Sequence, residues 1–257
     1  MSSNDKNITC IWCKQKKIPS LEHVIPKALL YSDELTINCV CRKCNNKLSK
    51  VDKAVISEFE QAKFTMDMPG RNGKPPKLNL GNIKGYTKNG EKRLHINMDK
   101  KPVKTLDGIS LSAYGKSNKD VKAELALNGN MGKVTWSQTL GNNKTFIRGI
   151  CKIAYEAVAY RYESEILTDD KFNNIRNFVL TGAGSRTIII GKPSINNYSS
   201  FGFDRIMIQN GNDIVQPIWM FGIKFIVDLT PEEKFIPEIK EIMHKRYGTK
   251  NWSWLPI

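Results

Sequence analysis

Two cysteine pairs, Cys10-x-x-Cys13 and Cys41-x-x-Cys44, bracket the dipeptide Glu22-His23, and the second pair runs directly into Asn45. Each Cys-x-x-Cys puts two sulfurs on one tight turn, so the pairs together offer the four soft donors of a tetrahedral zinc ion. Such a closed shell leaves no open position and serves folding rather than reaction. The same spacing fits two disulfides in a secreted protein. The polar opening Met1-Ser2-Ser3-Asn4-Asp5, however, lacks the apolar run of a signal segment, and an intracellular chain keeps its thiols reduced. The expectation is therefore a cytoplasmic protein with structural zinc on Cys10, Cys13, Cys41 and Cys44. Cys39 can compete as a ligand, but Cys39-x-Cys41 closes a poorer chelate turn, so it reads as a buried thiol. Cys151 falls on the apolar face of a later helix and reads as core.

The elements that hold these residues follow from periodicity. A short strand is expected around Leu21–Ile25, a break at Pro26, a second strand near Leu35–Val40, and then a helix. From Asn46 onward Leu48, Val51, Val55, Phe59 and Ala62 recur at steps of three and four, one buried helical face. Gly70, Gly73, Pro75 and Pro76 mark Met68–Pro76 as a linker or loop, which places a domain boundary near residue 65. Beyond it, Ile83–Thr87 and Arg93–Met98 flank the turn signal Asn89-Gly90. In that hairpin Leu94, Ile96 and Met98 alternate with His95 and Asn97, leaving a polar, basic face. Phe146, Ile147, Ile150, Ile153, Ala154, Ala157 and Val158 predict a largely buried helix over 143–163. Thr168 is expected to cap the next helix, which carries Phe172, Ile175, Phe178 and Val179. Strands are expected at Arg186–Gly191, Ile206–Gln209 and Ile214–Val227, the last two joined by Asn210-Gly211-Asn212-Asp213. Thr230-Pro231-Glu232-Glu233 reads as a capping box opening a final helix that stops before Gly248. Gly182-Ala183-Gly184-Ser185 lacks a third glycine and reads as a turn, not a nucleotide loop.

At 257 residues the chain has room for a small module and a larger domain. Its longest apolar run, Ile218–Val227, is interrupted by Lys224 and is far shorter than the roughly 20 residues of a membrane span. Lys and Arg outnumber Asp and Glu by 40 to 25, a formal charge of +15, the footprint of a polyanionic partner. The excess is uneven: residues 61–120 hold thirteen basic and five acidic groups, +8 of the total.

Cys10-x-x-Cys13, Glu22-His23-Val24-Ile25-Pro26 and Cys41-x-x-Cys44-Asn45-Asn46 resemble the HNH endonucleases of the ββα-metal class, in the branch where zinc staples the fold. The resemblance covers about residues 8–60; residues 66–257 match no family by their motifs. It implies that residues 1–65 form a zinc-stapled ββα-metal module; together with the helix and strand patterns of residues 66–257, read as a mixed α/β domain of unassigned fold, this makes an α+β protein. It further implies that His23 is the general base that deprotonates the attacking water, a task suited to an imidazole, which titrates near neutrality. Glu22 matches the acidic residue that binds the catalytic divalent ion, and Asn45 the last residue of the motif. With asparagine in place of the commoner histidine, hard magnesium or manganese is favoured over softer metals. Asn45 also fits a helix N-cap. Asn38 is the candidate for the middle motif residue that braces the base, with Thr36 its rival. Asp52, two helical turns beyond Asn45, either supports the ion or forms a salt bridge.

The expected partner is nucleic acid, double-stranded DNA foremost, cleaved by metal-dependent hydrolysis in a setting such as anti-phage defence. Two rival readings stand beside this one. In the first, a zinc module binds DNA without cutting it. In the second, residues 66–257 form a sensor, a homodimer surface or a docking site for a protein partner that controls the nuclease. Trp252 and Trp254 are read as core or partner contacts, and His244, beside Lys245 and Arg246, as a cation favoured at a helix C-terminus.

Overall fold

A computed structural model describes residues 7–30, 34–65, 68, 77–87, 90–99, 110–111, 122–128, 131–137, 143–191, 201–206, 208–210, 213–248 and 252–256. The chain divides into two compact units, Met1–Glu58 together with Gly141–Ile257, and Phe59–Leu140. The expected boundary near residue 65 is thus replaced by an insertion, and the first unit is assembled from both ends of the chain.

The N-terminal segment begins with strands β1 (Ile8–Thr9) and β2 (Lys16–Lys17), an antiparallel pair that closes the first cysteine turn. Lys14 takes a positive φ of 60° there, and its N–H donates to the Cys10 carbonyl at 2.8 Å. Strand β3 (Pro19–His23) pairs antiparallel with β4 (Thr36–Cys41), with a register shift between Ser20 and Glu22; the one-turn helix α1 (Lys27–Leu30) lies between them. Helix α2 (Arg42–Glu58) follows β4 directly and buries Cys44, Leu48, Val51 and Val55. This is the expected strand, strand, helix order, but the helix starts at Arg42 rather than Asn46. Asn45 is therefore inside the first turn and is not its N-cap.

In the second unit, α3 (Glu60–Thr65) precedes a three-stranded antiparallel sheet of β5 (Lys77–Thr87), β6 (Gly90–Asp99) and β7 (Ser110–Leu111). The expected hairpin is present. Lys84 pairs with Arg93 and Asn82 with His95, while Ile83 pairs with Leu94, and the ladder closes at Thr87 with Gly90, so Gly90 opens β6. Strands β8 (Lys122–Asn128) and β9 (Met131–Ser137) form a further hairpin that the periodicity did not announce. The expected loop Met68–Pro76 lies, apart from Met68, outside the described residues.

The first unit resumes with α4 (Lys144–Arg161), capped by the Asn143 side chain, which accepts from Thr145 N–H at 2.8 Å. Two 3-10 turns, Ser164–Thr168 and Asp170–Phe172, lead into α5 (Asn173–Thr181). The cap expected of Thr168 is not made: its hydroxyl donates back to the Glu165 carbonyl, Asp169 caps only the second 3-10 turn by accepting from Lys171 N–H at 3.0 Å, and α5 starts without a side-chain cap. Gly182, at φ 82°, ends α5 in a left-handed cap, as the turn reading of this glycine segment requires.

A six-stranded sheet then forms from β10 (Thr187–Gly191), β11 (Phe201–Phe203), β12 (Ile208–Asn210), β13 (Asp213–Met220), β14 (Ile223–Asp228) and β15 (Trp252–Pro256). Its order is β11-β13-β14-β10-β15, with β12 also on β13, and every pairing is antiparallel. The single strand expected over Ile214–Val227 is two strands. Phe221 and Gly222, at φ 53° and 75°, form a tight turn that pairs Met220 with Ile223. Helix α6 (Ile236–Tyr247) also begins later than the capping box implies. Buried Asp228 accepts from Thr230 and from Phe235 N–H at 2.8 Å, while Glu233 turns away to accept from Thr187 N–H at 2.6 Å.

The sheet separates two packing faces. Ile189, Val215 and Ile226 meet Ile236, Ile239 and Met243 of α6, with Trp252 against this cluster. Phe225, the next residue along β14, points the other way, and its ring lies 6.1 Å from that of Phe146 on α4. Helix α4 is buried on nearly every side, twelve residues of it, because the sheet covers one flank and the N-terminal segment the other. Gly149 marks the close approach of α2: a Cβ there would sit 2.3 Å from Val55 Cγ2 and 2.9 Å from the Val51 carbonyl oxygen. Among the described residues no helix is long and apolar enough to cross a membrane.

Candidate metal centre and a buried ion cluster

The turn closed by β1 and β2 carries Cys10 and Cys13, the end of β4 carries Cys41, and the first turn of α2 carries Cys44. Their four sulfurs all lie within 4.8 Å of one another. Cys13 and Cys41 Sγ are 3.8 Å apart, against about 3.8 Å for the edge of a tetrahedron with zinc–sulfur bonds of about 2.3 Å. All six cysteines are free thiols, and the Cys10 sulfur accepts a hydrogen bond from Cys41 N–H at 3.3 Å. A hydrogen bond with Cys44 holds the Cys10 thiol down to about 4, against burial, which pushes it up. The same bond, with burial, pushes Cys44 far above the ordinary thiol range. The thiolate is the form that binds metal, and a bound ion would draw the protons off these thiols. The geometry can hold a metal ion such as zinc, with all four positions filled by protein. Cys39 stays outside the cluster, half-buried, and burial pushes its thiol up to about 12. Cys151 is buried in α4, as its place on the apolar stripe implies, and is likewise pushed to about 12.

The two residues inside the first cysteine turn join this cluster to α4. Ile11 and Trp12 are buried. The Ile11 carbonyl accepts from the Tyr155 hydroxyl at 3.1 Å, Trp12 and Tyr155 rings lie 4.6 Å apart, and Trp12 Nε1 donates to Glu156 Oε1 at 2.9 Å.

Beside Glu156 lies Lys152, fully buried, whose Nζ donates to Glu22 Oε1 at 2.6 Å and to the His23 carbonyl oxygen at 3.3 Å. Asp52 Oδ1 and Glu156 Oε2 stand 2.9 and 3.1 Å from the same nitrogen. Neither oxygen receives a well-directed hydrogen bond, so both are charge contacts only. Three carboxylates thus surround one ammonium. Burial alone would lower Lys152, but Asp52, Glu156 and Glu22 overcome it and hold its proton well above the ordinary range. Burial also pushes Glu22 up, with Lys152 opposing, and drives Glu156 well above the carboxylate range.

The candidate residues are therefore placed as follows. Glu22 is 3% exposed and engaged by Lys152. His23, the next residue along β3, pairs with Thr36 and is half-buried; consecutive strand residues face opposite ways. Asn45 Nδ2 donates to Ser20 Oγ at 3.1 Å and to the Leu21 carbonyl at 3.0 Å, tying α2 to β3 just before Glu22. Asn38 is exposed on β4 and lines an open cavity of about 630 Å³ with Thr36, Tyr160 and Glu165. Asp52 is salt-bridged, the plainer of its two readings. Lys152 engages Glu22 Oε1, and Asn45 holds β3 through its amide nitrogen; a hard divalent ion would be ligated by the Asn45 amide oxygen, which these bonds do not use, and would share the Glu22 carboxylate with an ammonium. Lys152, Glu156 and Trp12 went unread in the sequence. The signal was there in Lys152-x-x-x-Glu156, an opposite-charge pair one helical turn apart inside an apolar stripe. No family model, no curated protein and no solved structure matches the chain.

Proposed function

We propose that this chain is a zinc-stapled endonuclease of the HNH type that hydrolyses phosphodiester bonds in nucleic acid, double-stranded DNA foremost. The observation that carries the reading is His23 at the end of the first of two antiparallel strands, with α2 tied to that strand through Asn45 and the four-cysteine cluster joining turn, strand and helix. In this proposal His23 accepts the proton of a water that attacks phosphorus in line, and basic side chains hold the phosphate backbone. Residues 59–140, with fifteen basic and seven acidic groups, supply the greater density of positive charge. Zinc on the four cysteines shapes the fold and stays out of the bond-breaking step. A magnesium or manganese ion on Glu22 would share that carboxylate with Lys152, so the divalent-ion dependence of cleavage decides what Glu22 does.

A second reading is favoured by that same pairing. A buried, lysine-bound Glu22 also suits a zinc module that binds nucleic acid without cutting it. The two separate on supercoiled plasmid, with magnesium, manganese or chelator. The nuclease reading expects nicking by the parent protein, lowered by about 10²- to 10⁴-fold in His23→Ala with binding retained. Tight binding with no cleavage under any divalent ion establishes the second reading.

A further inference from the structure

We infer that Lys152 is a positioning residue of the candidate site, standing on Glu22 where a divalent cation would otherwise sit and fixing the peptide that carries His23. The inference rests on the reading of His23 as the base, but its structural half can be tested without any cleavage. One ammonium reaches both the Glu22 carboxylate, at 2.6 Å, and the His23 carbonyl, at 3.3 Å. A carbonyl held in this way fixes the peptide plane after His23, while Val24 N–H donates at 2.9 Å to the carbonyl of Leu35, the residue just before β4. The direction of the His23 side chain then depends on α4.

Lys152 is itself held from several sides. It is completely buried, Glu156 one turn on is fixed by Trp12 Nε1, and Tyr155 between them donates to Leu167 and Ile11 carbonyls at 2.6 and 3.1 Å. Gly149 lets α2, with Asp52, come close on the same side. The ammonium cannot touch a substrate phosphate from this position, so its influence passes through Glu22 and His23. The arrangement also gives Glu22 a task that needs no bound ion, namely to anchor the lysine that holds the base.

The test compares full-length, zinc-loaded parent protein with Lys152→Gln/Glu156→Gln, which removes the ammonium and turns the carboxyl beside it into an amide of the same shape. Amide exchange over residues 23–25 should quicken by about tenfold or more, while the cysteine turn over 8–17 keeps its protection and the zinc content is unchanged. On plasmid, kcat should fall about a hundredfold with KM within about twofold, the signature of a misplaced base rather than lost binding. Unchanged exchange and unchanged kcat overturn the inference. So does a variant that cleaves faster with a lower divalent-ion midpoint, since Lys152 would then merely block an ion site on Glu22. If the parent cleaves nothing, the nuclease reading fails while the exchange measurement still decides the positioning role. Should the double variant not fold, the parent protein suffices: a slowly exchanging lysine ammonium signal correlated with the Glu22 carboxylate supports the inference, and its absence overturns it.

Discussion

Glu156 is the group whose ionisation the fold opposes most plainly, and its replacement by glutamine isolates that effect. An unfolded glutamate titrates near about 4.3, and burial raises the folded value well above the ordinary range. The folded chain therefore binds this proton more tightly. Its stabilising contribution is complete below about pH 4.3 and is lost as pH rises through the folded value. Urea unfolding of zinc-saturated protein between about pH 6 and 9 should show stability falling more steeply with pH in the parent than in Glu156→Gln. The baseline will differ, because an amide nitrogen then faces Lys152, so the slope is the quantity to compare. Parallel slopes would mean that Glu156 is ionised throughout. Trp12→Phe removes the donor to Glu156 Oε1 and should cost about 1–3 kcal/mol. At this scale the cysteines were legible because their chemistry is local to a tight turn. Lys152 was not, because an i, i+4 charge pair looks the same on a solvated helix face as in a core.

Among the elements, the packing of α2 on α4 governs the site. Gly149→Ala places a methyl 2.3 Å from Val55 Cγ2 and 2.9 Å from the Val51 carbonyl oxygen. The helices must separate, at a cost of about 1–3 kcal/mol in urea unfolding. Adding Val55→Ala should restore part of that loss and not all of it, since the carbonyl contact remains. Most helices were readable from their stripes, Phe146 to Val158 above all, because a 3.6-residue period survives any tertiary context. What escaped were boundaries set by single residues. Gly222 was hidden in an apolar run, so a hairpin looked like one strand; Glu233 went to Thr187 N–H, so Thr230 Oγ1 accepts from Lys234 N–H, Asp228 accepts from Phe235 N–H, and α6 starts later with no side-chain cap of its own. The start of α2 was obscured because Arg42 and Lys43 show no periodicity, and the position of Asn45 changed from cap to brace as a result.

For the molecule as a whole, the division of the chain matters most. The cysteine cluster and Glu22 belong with α4, more than 80 residues downstream of Glu58, and not with a free-standing N-terminal module. A fragment of residues 1–65 exposes Ile11, Trp12 and the Glu22 carboxylate that α4 covers in the full chain. Expressed alone with zinc, it should give poorly dispersed amide spectra, whereas the full chain gives dispersed ones; a well-folded fragment would show that the cysteines suffice without α4. Sequence periodicity cannot reveal such an insertion, because each segment reads equally well beside its neighbour. The insertion also sets a schedule for synthesis. At about 5–20 residues per second, a ribosome needs roughly 4–16 seconds to extend from Glu58 to Gly141. Throughout that interval the nascent thiols must capture their ion, or escape oxidation, before the helix that shelters them has been made.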